Sequence, residues 1–242
     1  MDEHLKNFKM TKSTTKRIIL LIFCLIPIFS KGQINLDSLV KTHKKVAILP
    51  VRVMYSYKKL PEGQTLKDIR NKEYQDGFLL QEKFIKQLFK DSVHVFIEIQ
   101  SYNETNNLLS ENEITLQDLK DLPADFICES LNVDAVIEIE IRLNTHITDS
   151  ERTGYQTLAV ASMIINPLNA ISVFRGPRKV GKNSGGRDDK SVSSKMVISD
   201  GLTNEIVKEV TVSFDGSVFN TSDKLIENVL SENFKKSPYY KK

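Results

Sequence analysis

The chain has 242 residues, with 34 Lys and Arg against 31 Asp and Glu, and two cysteines. The first 32 residues hold six of the basic and two of the acidic residues, so the remainder carries 28 against 29, which removes the support for nucleic-acid binding. Cys24 lies in that first segment, which leaves Cys128 alone and no intrachain disulfide to form.

Lys12, Lys16 and Arg17 precede the apolar run "IILLIFCLIPIFS" (18–30), and the small residues of "SKG" follow it. Basic residues, an apolar stretch too short for a comfortable membrane span, and small residues together predict a signal peptide over 1–32, cleaved after Gly32. The bulky "LIF" before Cys24 argues against lipid attachment there. Residues 33–44 read as a linker and 45–242 as one domain, long enough for a sizeable core.

"KVAILPVRVM" (45–54) is apolar on both faces and predicts a central strand, with a bulge or free edge at Pro50. In "QDGFLLQEKFIKQLF", Leu80, Phe84, Ile85, Leu88 and Phe89 form one helical stripe. "SVHVFIEIQ" alternates, with Val93, Val95, Ile97 and Ile99 on one side of an expected strand. Short helices follow at "NETNNLLSE", at "TLQDLKDL" with Thr115 and Asp118 as a capping pair, and at "PADFICESLN" with Pro123 in the first turn. "DAVIEIEIRLNTHI" alternates strictly, placing Ile137, Ile139, Ile141 and Leu143 inward and Glu138, Glu140 and Arg142 on a wet face. "VSSKMVIS" and "EIVKEVTVSF" form a hairpin through "DGLTN", where Gly201 and Asn204 tolerate positive φ. A last helix, "SDKLIENVLSENF", has Ser222 as cap and buries Leu225, Ile226, Val229 and Phe234. The expected fold class is α/β: a mixed β-sheet packed against helices in the order β-α-β-α-α-β-(insert)-β-β-α.

The insert, residues 152–190, interrupts a simple strand-to-strand connection. Its segment "YQTLAVASMIINPLNAISVF" (155–174) carries no charge, and connections are normally polar, so it must cover something. A hairpin turning at "NPLN" and two short helices broken at Pro167 both fit, and the covered surface is either the domain's own sheet or a membrane or neighbouring subunit. The candidate contact residues are Leu158, Val160, Met163, Ile164, Ile165, Leu168, Ile171, Val173 and Phe174, with Arg175 and Arg178 suited to an anionic surface.

"GPRKVGKN" (176–183) matches the phosphate-loop pattern except at Asn183, where a hydroxyl should bind magnesium. No helix-forming stretch follows it, and six basic residues over 175–190 read as a solvated loop, so no nucleotide is expected. His43 lies in the basic linker, and His94 and His146 lie in strand segments without Cys or carboxylate at ligand spacing, so neither metal nor cofactor is expected. Cys128, among apolar residues, reads as a small buried hydrophobe, and Glu138 with Glu140 as the solvated side of a strand. No catalytic signature stands out, and the chain is read as a non-enzyme.

Four stretches carry a family resemblance. "VAILPV" resembles the opening strand "VAVLPF" of the CsgG, LpoB and TolB N-terminal type of envelope α/β domain. "ESLNVDAVIEIEI" is similar to that family's helix running into its "lGaDyvv.G" strand, with Asp134 at the matching Asp. "ISDGLTNEIV" resembles its late hairpin, and "KKSPYYKK" its "FPY" ending. Glu138 and Asn204 stand where that family favours Gly. The resemblance implies a periplasmic or outer-membrane-associated protein that serves as scaffold or accessory subunit in envelope assembly or secretion. Its implied partners are envelope proteins or further copies of itself, while a membrane surface is the contact that the apolar insert, not the resemblance, suggests. A periplasmic domain binding a small ligand or glycan is the alternative.

Overall fold

The computed structural model describes residues 36–90, 92–146, 178–179, 190–216 and 221–241. The chain divides into two compact units, Met1–Ser38 and Leu39–Lys242, and the fold is that of the second. Among the described residues seven strands form one mixed sheet. β1 (Lys45–Ile48) and β2 (Arg52–Tyr57) run in line beside β4 (Ala135–Thr145), β1 parallel to Ala135–Ile137 and β2 parallel to Glu140–Thr145. β3 (Glu98–Ile99) lies parallel to β1 on its other side. β6 (Lys190–Asp200) pairs antiparallel with β4, β7 (Ile206–Gly216) with β6, and β5 (Arg178–Lys179) with β7. The helices are α1 (Leu36–Val40), α2 (Leu66–Lys90), α3 (Tyr102–Glu111), α4 (Ala124–Leu131) and α5 (Ser222–Lys235). This is the mixed sheet packed on helices that the element order predicts.

Strand alternation sorts the core into two layers. Ile48, Ile137, Ile139, Ile141 and Met196 point into the larger layer, where α2 and α5 contribute Phe84, Ile85, Leu225 and Phe234. Ala47, Leu49 and Val136 point the other way and meet Leu109, Ile127, Cys128 and Leu131 from α3 and α4. At about 1.5–3 kcal/mol for each large apolar side chain buried, these layers carry the fold. The second layer stops early along β4, and Glu138, Glu140 and Arg142 beyond it are half-buried or exposed, as their alternation predicts.

The run 45–54 is two strands rather than one. Leu49 N–H still donates to Ile137 O of β4 at 3.0 Å, but Pro50 supplies no N–H to a ladder, and the chain steps away from β4 over Pro50–Val51. Helix α2 lies against that step. Val51 N–H donates to Gly77 O at 3.1 Å, and Gln81 Nε2 donates to Ile48 O at 2.7 Å while its Oε1 accepts from Asn106. A Cβ on Gly77 would collide with the Val51 carbonyl oxygen.

Several local expectations give way to tertiary context. Residues 92–100 alternate, yet alternation needs a neighbouring strand and only Glu98–Ile99 lie beside β1. Upstream, a 3-10 turn (Ser92–His94) docks the C-terminal tail instead, with Lys241 N–H donating to His94 O at 2.8 Å and Val93 87% exposed. "TLQDLKDL" makes one 3-10 turn, Asp118–Lys120, although Asp118 does accept from the Thr115 N–H and hydroxyl as a capping pair should. Pro123 is the cap of α4 rather than part of its first turn, and Thr221, not Ser222, caps α5 by accepting from Lys224 N–H. Phe89 is half-exposed, off the buried stripe. In the β6–β7 turn only Asn204 has positive φ, at 58°. Gly201 is needed for room, because a Cβ there would overlap the Cys128 side chain.

Helix propensity alone favours Gly77→Ala by about 1 kcal/mol. The collision with backbone costs about 1–3 kcal/mol, because an overpacked contact against main chain cannot be relieved by a rotamer change. The variant is expected to melt several degrees below wild type in a calorimetric scan, and a rise in Tm would contradict this packing.

Candidate functional site

Two polar constellations were not foreseen. The first centres on His43, placed by sequence in a linker but buried in the structure. Its Nε2 lies 2.8 Å from Asp200 Oδ1 and its Nδ1 2.5 Å from the Tyr239 hydroxyl. Asp200 Oδ2 accepts from the Thr203 N–H and hydroxyl at 2.6 and 2.7 Å. Burial alone would raise the Asp200 carboxyl, but the Thr203 and His43 bonds hold it below the usual range. Burial also pushes the Tyr239 hydroxyl up, followed by the negative charges of Asp200 and Asp134, so it stays a donor. The pattern closes with Nε2–H donating to Asp200 and Nδ1 accepting from Tyr239.

An Asp–His pair next to a thiol resembles catalytic apparatus, but the environment speaks otherwise. The His43 and Asp200 side chains are only 1% and 3% exposed, and Tyr239 is fully buried. Burial, then the charges of Asp200, Asp134 and Asp125, push the Cys128 thiol up to about 12, so it is no nucleophile at neutral pH. Cys128 is the small buried residue its sequence context predicts. The constellation works as a clasp that ties the segment before β1, the β6–β7 turn and the C-terminal tail together. Asp134 adds to it by accepting from the Lys44 and Lys45 N–H groups at 2.7 and 2.9 Å.

The second constellation is a cleft of about 400 Å³ beside the β1–β2 interruption. Leu49 and Leu119 give it an apolar floor, Tyr74 of α2 and Leu116 stand on its walls, and Arg52, Arg70, Lys120, Glu73 and Glu138 supply charge. Glu73 is engaged, accepting from Tyr55 N–H at 2.7 Å, and Arg52 pairs with Glu140 at 3.2 Å. Glu138 is half-buried with no hydrogen bond or ion pair among the described residues. Burial raises its carboxyl, and Arg52 and Lys195 pull it back only in part. A neighbouring hollow shares Pro50, Tyr74 and Leu116 with the cleft, and the buried Asn106 Oδ1 on its lining lacks a donor.

Large apolar side chains also stand in water. Leu202 at the β6–β7 turn is 88% exposed, Ile206 56% and Phe126 45%. Asn204 Oδ1 accepts from Ala124 N–H at 2.8 Å, which brings the turn to the N-terminus of α4, so all three share one end of the domain. Of the contact residues expected from sequence, Leu158, Val160, Met163, Ile164, Ile165, Leu168, Ile171, Val173, Phe174 and Arg175 lie outside the described residues. Arg178 opens β5, paired in register with Asp215. Among the described residues no helix is long and apolar enough to cross a membrane, and no group of three or more His, Cys, Asp and Glu could hold a metal ion.

No family model matches the sequence, and no curated protein matches it either. Solved structures with a similar course of chain include lipoprotein GNA1162 from Neisseria meningitidis, at 11% identity and a TM-score of 0.41, covering 80% of this chain and 96% of that one. They also include the LpoB C-terminal domain from Salmonella enterica, at 8% identity and 0.31, covering 70% and 81%. A PelC dodecamer from Paraburkholderia phytofirmans matches at 10% identity and 0.35, covering 82% and 89%. Likenesses this distant carry no argument about what this chain does.

The clasp and the cleft carry opposite expectations. Tyr239→Phe keeps the ring but leaves His43 Nδ1 buried without its donor, at a cost of about 1–3 kcal/mol. A chemical denaturation midpoint equal to wild type would show that the hydrogen bond is not made. Glu138→Gln removes a half-buried charge. A raised carboxyl favours the folded state below its unfolded pKa and loses that advantage as pH rises through the folded value. Glu138→Gln is therefore expected to be more stable than wild type at neutral pH, with the margin closing as acid protonates Glu138. Melting curves that keep one fixed margin at all pH values would contradict the burial of this carboxyl.

Proposed function

We propose that this chain is a non-enzymatic, exported accessory protein of the bacterial envelope that acts through protein–protein contact, as scaffold or subunit. The observation that carries this reading is the pairing of a largely buried, hydrogen-bonded His43 cluster with an apolar end. The one cluster that resembles catalytic machinery, around His43, is spent on holding the chain together, while Leu202, Ile206 and Phe126 remain in water where a partner can cover them. The tripartite N-terminus supports export, and the resemblance of "VAILPV" and "ESLNVDAVIEIEI" to envelope α/β domains supports the compartment. Residues 155–176 supply a further contact to a membrane or neighbouring subunit in this reading, their nine large apolar side chains being costly to leave in water. The cleft favours a second reading, a periplasmic small-ligand-binding domain.

Leu202→Asp places a charge on a side chain that packs on nothing, so stability should stay within about 0.5 kcal/mol of wild type. In cells, chemical crosslinking of the wild-type protein is expected to give defined adducts in the envelope fraction, and Leu202→Asp to lose them at an unchanged Tm. An intact 1–32 segment on a protein recovered from the cytoplasmic fraction as a free monomer would overturn the proposal.

A further inference from the structure

The cleft beside the β1–β2 interruption holds groups that the fold does not use. Glu138 rises from the sheet floor half-buried, and no donor among the described residues reaches its carboxylate. Fold-building carboxylates elsewhere in the chain are occupied. Asp134 takes two backbone N–H groups, Asp200 takes His43 and Thr203, and Glu73 takes Tyr55 N–H. Buried polar groups are normally satisfied, so an unpaired one in a cleft marks a place for a ligand donor. The cations are also uneven. Arg52 is matched by Glu140, whereas among the described residues Arg70 on the α2 wall has no acidic partner and Lys120 meets only the well-exposed Asp121 at 3.5 Å. Leu116 and Leu119 add apolar surface to the same cleft.

The walls of this cleft are held rather than left to chance. Gly77 and Gln81 of α2 bond the backbone on both sides of Pro50, so the step in the strand that opens the space is part of the packed structure. A volume of about 400 Å³ is within the range of roughly 300–1,000 Å³ that small-molecule sites occupy.

We propose that this cleft binds a small zwitterion with an apolar body, its ammonium group against Glu138 and its carboxylate between Arg70 and Lys120. Free apolar amino acids and short apolar peptides share this chemistry. The peptide is the better match, because its ammonium and carboxylate sit on different residues, whereas a free amino acid carries both on one carbon and the cleft supplies its carboxylate and its cations from different elements. The inference does not depend on the envelope reading.

Isothermal titration of the wild-type protein with Leu-Leu, free leucine, N-acetyl-Leu-Leu and Leu-Leu amide tests it without any mutation. Leu-Leu is expected to bind saturably. Acetylation, which removes the ammonium, and amidation, which removes the carboxylate, are each expected to weaken binding by about tenfold or more, as loss of a charge-assisted hydrogen bond in a partly desolvated site does. Free leucine binding as tightly as Leu-Leu would place the ligand among amino acids, and weaker binding would place it among peptides. In Glu138→Gln, Leu-Leu and its acetylated form should bind equally weakly, and in the Arg70→Gln, Lys120→Gln double variant Leu-Leu and its amide should do so, both with folded melting curves. No saturable binding of Leu-Leu or leucine to the wild-type protein, or a Glu138→Gln titration that matches wild type, would overturn the proposal.

Discussion

The contact between Gly77 and the Val51 backbone is the constraint on which the arrangement around it depends. Helix α2 approaches the sheet so closely there that no side chain fits, and it accepts the Val51 N–H in place of a strand neighbour. The step over Pro50–Val51 lets β1 and β2 pair with two different parts of β4 while running in the same direction. The cleft lies beside this step, with Pro50, Val51 and Glu138 on its lining. Gln81, one turn further along α2, extends the same support to Ile48 and, through Asn106, to α3. The helix also shields the exposed side of β2, with Glu73 accepting from Tyr55 N–H and Asp76 from the Tyr55 hydroxyl, a covered edge that would otherwise invite pairing with another chain.

At the other end of the sheet the His43 clasp joins segments 157 and 196 positions apart in sequence. Such closures cost loop entropy before they return anything, so they are useful only where the groups are then fully satisfied. Here every bond has a partner: Asp200 has His43 and Thr203, His43 has both its neighbours, and Tyr239 sits in the larger core. The clasp therefore gives a His, an Asp and a Tyr a structural reason to sit together in this domain. Two features among the described residues remain open at the surface: the apolar end around Leu202 and the charged cleft.

Those parts of the fold set by local periodicity were legible in the sequence. Residues 135–145 alternate because one face of β4 is packed and the other wet, and Leu80, Phe84, Ile85 and Leu88 are buried because α2 presents one stripe. Residues 92–99 carry an equally regular alternation, but a strand exists only where a neighbour offers a ladder, and most of this stretch meets the C-terminal tail instead. His43 was invisible for a related reason. Nothing near it in sequence marks a core, because its partners come from the β6–β7 turn and the tail. Glu138 and Glu140 look equivalent along the strand, yet Glu140 pairs with Arg52 and Arg142 while Glu138 faces the gap left by Pro50. Only the position of the strand break separates them.

The claim that the strand break is a built and rigid feature can be tested at one amide. Val51 N–H faces α2, not β4, and donates to Gly77 O. In native-state hydrogen exchange a bond locked into the packed core opens only with a large cooperative unit, whereas a loosely held loop exchanges through local fluctuation. The account predicts that the Val51 amide exchanges as slowly as the central amides of β4, such as that of Ile139. Rapid exchange at Val51, while Ile139 stays protected, would contradict it.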